Sequence, residues 1–190
     1  SNVLDNSVGY NIYDFNGNLN YKINSKHNLK FSFYNGMDYL AAKDKFRFNL
    51  NKVVLNWGNL VGSLQWTNLI NEKWKSNTVL SQSNFYLKNN SKNKIGQDSN
   101  WQEIILNSGV ADISLKHQYN YFLTENQQLN FGAEIANQFY KPGNYKIINM
   151  ELPIGIIPES NVKYYTWIVS PFVEYLYTAN KFKMISGLRW

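Results

Sequence analysis

The 190-residue chain contains no cysteine. Thiolate metal centres and disulfide scaffolds are therefore excluded. No run of about 18 apolar residues occurs, so no helix of this sequence can span a bilayer. No segment carries a convincing helical period either, which argues against a helical domain of any kind. Charged residues are scarce at 17%, against a usual share of about 25%. No Ser/His/Asp set, glycine-rich phosphate loop or paired-carboxylate motif stands out, so neither an enzyme nor a cofactor is expected. No signal peptide opens the chain. Either one was removed, or Ser1 is not the true N-terminus.

What is present is aromatic. Phe, Trp and Tyr make up 16% of the residues, yet mean hydropathy is −0.45. A membrane barrel reconciles these, because its outer band is apolar while its lumen and loops are polar. The formal net charge is +6, and such a balance can mark a nucleic-acid surface. Here Lys43, Lys45, Lys73, Lys75, Lys92, Lys94, Lys181 and Lys183 are scattered through expected turns and loops and form no run. Nucleic acid is not an expected partner.

The most informative stretch runs from Asn56 to Ser83. Leu60, Gly62, Leu64 and Trp66 share one face, while Asn59, Ser63, Gln65 and Thr67 share the other, with Val61 the exception. Ile70-Asn71-Glu72-Lys73 turns the chain, and Trp74 begins the return strand. The alternation outlasts an ordinary strand of four to eight residues, and Trp66 and Trp74 flank the turn. Aromatics at strand ends suit a membrane interface.

The same pattern recurs along the chain. From Ser7 to Ile23, Tyr13, Phe15, Leu19 and Tyr21 oppose Asp14, Asn16, Asn18, Asn20 and Lys22. After a turn at Asn24-Ser25-Lys26, Leu29, Phe31, Phe33, Met37 and Tyr39 oppose Lys30, Ser32, Tyr34, Gly36 and Asp38. A fifth strand, about Ile104 to Phe122, sets Ala111, Ile113, Leu115, Tyr119 and Tyr121 against Asp112, Ser114, Lys116, Gln118 and Asn120. Beyond a turn at Leu123–Asn126, Leu129, Phe131, Ala133 and Ile135 oppose Asn130, Gly132 and Glu134. The seventh strand carries Tyr165, Trp167, Val169, Val173, Tyr175 and Tyr177 on one face. After Thr178-Ala179-Asn180, Phe182, Met184, Leu188 and Trp190 alternate with Lys183, Gly187 and Arg189. Ala41–Asn51, Lys88–Asn100 and Lys141–Asn161 are polar, charged or rich in Pro and Gly, and are expected to be loops.

Short turns thus recur near Ser25, Glu72, Glu125 and Ala179, alternating with longer connections. This is the rhythm of an outer-membrane barrel with short periplasmic turns and longer outer loops. In that phase the first strand would run inward and the eighth would end outside, unlike a complete barrel. The expected fold is all-β: an antiparallel transmembrane β-barrel segment of about eight strands, residues 1–190, belonging to a larger barrel. An open sheet in lipid would leave two unpaired edges, which is not viable.

Trp57-Gly58-Asn59-Leu60, Leu64-Gln65-Trp66, Leu69, Lys73 and Ser76-Asn77-Thr78 together resemble a hairpin of TonB-dependent outer-membrane transporters, especially of the Bacteroidetes lineage. Phe139-Tyr140-Lys141-Pro142-Gly143 and Gly187-Leu188-Arg189-Trp190 are similar to further segments of that family. The resemblance implies a 22-stranded barrel with a plug domain, which this chain does not contain. It also implies bacterial outer-membrane lipids around the barrel, a TonB energy-coupling complex as partner, and a surface lipoprotein as a further possible one. The implied function is import of a scarce or bulky nutrient, whether an iron chelate, cobalamin, a glycan or a peptide. The alternative is a barrel that anchors a partner assembly.

Candidate site residues are few. His27 and His117 are isolated and make no metal site on their own. Asp14, Asp38, Asp112, Glu134, Lys30, Lys116 and Arg189 have lumen parity. They could touch substrate, but are expected to pair with each other or with a plug. Trp66, Trp74, Tyr121, Tyr175 and Tyr177 could stack on carbohydrate, although their nearness to turns favours an interfacial girdle. Ligand contacts are expected in the three loops, with no single residue singled out.

Overall fold

The computed structural model describes residues 6–46, 49–94, 101–149 and 160–190. They form one antiparallel sheet of eight strands in sequential order: β1 (Ser7–Lys22), β2 (His27–Phe46), β3 (Asn49–Leu69), β4 (Trp74–Lys94), β5 (Gln102–Thr124), β6 (Gln127–Ile148), β7 (Tyr164–Ala179) and β8 (Phe182–Arg189). Every strand pairs only with its neighbours in sequence, so β1 and β8 are edges and the sheet is open.

The expected strands are all present, and they are longer than the alternation indicated. β2 to β6 contain 20 to 23 residues, whereas about 9–11 suffice to cross a bilayer. The expected loops are therefore corrected. Ala41–Phe46 belongs to β2, Asn49–Asn51 to β3, Lys88–Lys94 to β4 and Lys141–Ile148 to β6. Only 47–48, 95–100 and 150–159 of those stretches lie outside the described residues. The ladder continues through the described parts of these stretches, with Lys43 opposite Lys52, Lys52 opposite Lys92 and Lys146 opposite Ile105. Their sequence hid this because Ala41–Lys45 and Lys88–Lys94 put polar or charged side chains on both faces, and Lys141–Ile148 carries Pro142 and Gly143, while strand alternation is visible only where the two faces differ.

The short turns all lie at one end. Asn24 Oδ1 accepts hydrogen bonds from the backbone N–H groups of Lys26 and His27, both at 2.9 Å. Asn71 Oδ1 does the same for Lys73 and Trp74, at 2.9 and 3.0 Å. These asparagine-closed turns hold the two hairpins in register. At the other end, β6 carries an extra residue opposite the Asn107–Gly109 segment of β5. Pro142 has no N–H to give to the ladder, and Gly143 takes φ 50°, so this pair supplies the bulge.

Cross-strand partners trace a continuous row: Tyr21, Leu29, Trp66, Thr78, His117, Ala133 and Pro171. In β1 this row lies one residue from the short-turn end, and in β7 eight residues from it. The stagger is thus about 1.2 residues per strand step. With about 3.3 Å per residue and 4.8 Å between strands, it corresponds to a strand tilt of roughly 40°, within the range at which sheets close into barrels.

A single sheet cannot bury much. Among the described residues the one buried hydrophobic is Phe172, at 7% exposure, while Trp167 stands 71% exposed. The described residues present two unlike faces, and both are open to whatever covers them.

Candidate functional site

One face is aromatic and aliphatic. Near the short turns it carries Tyr21, Trp66, Trp74, Tyr121, Tyr175 and Tyr177, each within three or four residues of its strand's turn end. The Trp74 ring stacks on Tyr121 at 4.5 Å and meets Tyr119 and Phe131 edge-on at 6.1 Å each. His27 stacks on Trp66 at 5.8 Å. His117 exchanges a 2.8 Å hydrogen bond with the Thr78 hydroxyl and packs edge-on against Tyr119 at 4.7 Å. The two histidines thus lie on different strands, each with an aromatic partner. Among the described residues no three His, Cys, Asp or Glu side chains gather.

A second aromatic row lies farther up the same face. Tyr39, Tyr86, Phe139 and Trp167 each stand 12 residues from the turn end of their strand. Between the rows this face holds Leu19, Phe31, Leu64, Leu80, Leu115, Ile135 and Val169, with no Asp, Glu, Lys or Arg among the described residues. The centres of the rows are about ten residues apart along the strands, which the tilt projects to roughly 25 Å.

The other face is polar, and its side chains are tied across strands. Thr67 Oγ1 donates to Asn77 Oδ1 at 2.8 Å, and Asn77 Nδ2 donates to Asn120 Oδ1 at 3.0 Å. Asn120 Nδ2 then donates to Asn130 Oδ1 at 2.5 Å, where Gln128 Nε2 also donates at 2.5 Å. Each intermediate amide accepts from one strand and donates to the next, so the ladder spans β3 to β6 with donors all pointing one way. Asn120 and Asn130 are buried although they lie on a sheet surface, because neighbouring amides cover them.

The seven charges given lumen parity above divide into two groups. Glu134 Oε2 binds Arg189 Nη2 at 2.7 Å, reaching across β7. Lys116 Nζ lies 4.9 Å from the centre of the Phe172 ring, and Asp38 accepts a 2.8 Å hydrogen bond from the Tyr10 hydroxyl. Asp14, Asp112 and Lys30 make no side-chain hydrogen bond or ion pair among the described residues. Of those seven, one cation and two anions thus have no partner among the described residues.

Asn144 was not singled out by residue pattern or motif. Only 4% exposed, it accepts from the Val162 N–H at 2.9 Å and donates to the Val162 carbonyl at 3.0 Å. Its side chain thus acts as a stand-in strand partner that ties the entry to β7 onto β6. The signal available was its place beside the Pro142-Gly143 bulge.

No protein-family model matches the chain, and no curated protein matches it in sequence. A solved structure does match in three dimensions: the ferric yersiniabactin uptake receptor FyuA from Yersinia pestis. The similarity has a TM-score of 0.64 at 10% identity. It covers 90% of this chain. This chain has the fold of part of that receptor. It spans 26% of the receptor's length, a proportion that accords with a sheet that does not close on itself.

Proposed function

We propose that this chain forms a section of the barrel wall of a TonB-dependent outer-membrane transporter. The observation that carries this reading is the charge-free aromatic face, bounded by two aromatic rows about 25 Å apart on strands tilted roughly 40°. An outer-membrane barrel presents such a band to lipid, about 25 Å tall with aromatics at both rims. Trp66, Trp74, Tyr121, Tyr175 and Tyr177 then form the inner-rim girdle. The fold shared with an uptake receptor supports the same reading.

In this reading the polar face lines the lumen. The amide ladder removes the donors and acceptors of β3 to β6 from competition with water or solute. Asp14, Asp112 and Lys30 remain to meet a plug domain of the same polypeptide or a passing solute. The wall has no chemistry to perform. Its role is to surround a plug that a TonB complex moves, so that a solute too bulky or scarce for open pores is imported. Whether that solute is an iron chelate, cobalamin, a glycan or a peptide is decided by contacts beyond this wall.

The test uses the complete polypeptide that contains this chain, in its native membrane. Single cysteines at Ser63 and Leu64 should differ in access to a lipid-dissolved quencher, with Leu64 reached and Ser63 not. Uptake of its solute should stop when TonB is deleted. Quenching at Ser63 rather than Leu64 would reject the wall. A correctly oriented wall with growth and uptake indifferent to TonB would favour an anchoring barrel instead.

A further inference from the structure

Outward-facing lysines begin two residues above the upper aromatic row. Lys88 and Lys141 each lie 14 residues from the turn end of their strand, and Lys52, Lys92 and Lys146 lie higher. All share the aromatic face, and none occurs on that face between the two rows. Lys52 stands directly opposite Lys92, with Lys43 on the other side of Lys52. Like charges placed opposite one another destabilise a sheet unless something neutralises them.

Two adjoining grooves collect these lysines. One, of about 360 Å³, is lined by Lys52, Val54, Asn56, Lys88, Asn90 and Lys92. The other, of about 350 Å³, shares Lys88 and adds Lys141 and Lys146. Neither lining contains an acidic side chain. Glu103, at the edge, binds Lys92 at 3.3 Å and accepts from Asn90 Nδ2 at 2.8 Å, which offsets one charge of five. A separate observation concerns the first groove: Asn56 Oδ1 and Asn90 Oδ1 are buried there without a hydrogen-bond partner. Buried acceptors left unpaired are costly, and they ask for a donor.

We propose that these grooves seat the headgroup of a phosphorylated glycolipid of the outer leaflet. Phosphates would lie among Lys52, Lys88, Lys92 and Lys141, and sugar hydroxyls would donate to the Asn56 and Asn90 carbonyls. The acyl chains would descend onto the apolar band directly below. This commitment to a lipid rests on the reading of that band as lipid-facing. A soluble anion would satisfy the lysines but would leave the adjoining aromatic face unused.

The test reconstitutes the complete polypeptide and measures binding of a diphosphorylated, acylated glucosamine disaccharide, with its dephosphorylated form and inorganic phosphate as comparisons. The wild-type protein should retain the phosphorylated lipid and discriminate against the dephosphorylated one. Removing a lysine near a charged membrane surface weakens binding about fivefold, so Lys52→Gln/Lys88→Gln/Lys92→Gln should bind on the order of a hundredfold more weakly. Lys88→Gln alone should bind about fivefold more weakly, and it carries the test if the triple variant does not fold. A control with the same charge change at the turns, Lys26→Gln/Lys73→Gln/Lys181→Gln, should bind as the wild type does. Equal loss in both triple variants, indifference to the phosphates, or displacement by inorganic phosphate at the lipid's own concentration would each overturn the proposal. Cysteines at Ser63 and Leu64 separate the two readings. If Leu64 is lipid-exposed and the lysine variants still bind normally, the headgroup site fails while the wall stands.

Discussion

Removing the Asn120 side chain tests whether the polar face is held by its amide ladder. Asn120→Ala deletes the hydrogen bonds from Asn77 and to Asn130, each contributing about 1 kcal/mol net. For the Asn77 bond that net figure is replaced, because its Nδ2 donor is left stranded and desolvation without a partner costs about 1–3 kcal/mol. The Asn130 acceptor keeps Gln128, so no comparable penalty arises there. The expected loss is therefore about 2–4 kcal/mol. Asn120→Asp keeps the acceptor for Asn77 but aims an oxygen at Asn130 Oδ1, so its loss should exceed that of alanine. The assay is urea unfolding of the complete polypeptide in lipid vesicles, with stability taken from the midpoint and slope. Because donors run one way from Thr67 to Asn130, Asn77→Ala and Asn120→Ala should be non-additive by roughly 0.5–3 kcal/mol. A loss below about 0.5 kcal/mol for Asn120→Ala, or strict additivity with Asn77→Ala, would refute the ladder as a structural device.

Other expectations follow from single sites. A Cβ at Gly132 would collide with the carbonyl oxygen of His117, so Gly132→Val should sharply reduce the yield of heat-modifiable folded protein, whereas Gly62→Ala, with open space around it, should not. Trp74→Ala removes a ring that touches three aromatic neighbours and should cost about 2–4 kcal/mol in the same urea assay. Asn144→Ala should leave global stability nearly unchanged while raising amide exchange at Val162 roughly 30-fold, as expected for two lost bonds of about 1 kcal/mol each. Arg189→Gln breaks an ion pair whose arginine is more than half exposed and should cost less than about 1 kcal/mol.

The eight strands and the membership of each face were legible in the sequence wherever an apolar side chain alternated with a polar one. Tyr13, Phe15, Leu19 and Tyr21, or Ala111, Ile113 and Leu115, announce their faces because the environments on the two sides differ. That signal vanishes in the described parts of Ala41–Asn51 and from Lys88 to Lys94, where polar or charged side chains fall on both faces, and so strand was read as loop. The site was less legible than the fold. Asn77, Asn120 and Asn130 could be assigned to a polar face, but their mutual hydrogen bonds depend on inter-strand register. The lysines at 43, 52 and 92 look scattered along the chain and become one row only when three strands are set side by side. Among the lumen-parity charges, Glu134 and Arg189 find each other as expected, whereas Asp14, Asp112 and Lys30 do not find a partner among the described residues.

The polar extensions of β2 to β6 affect how the protein can be handled from that side. A protease must thread several residues of extended chain through its cleft, and a backbone already committed to neighbours on both sides cannot be threaded. Residues 88–93 are paired with β3 on one side and β5 on the other, so lysine-directed proteases should spare Lys88 and Lys92 in the folded protein despite their position beyond the apolar band. A binder selected against this end would meet a stiff ribbed surface, and would recognise a pattern of side chains from adjacent strands rather than any linear peptide.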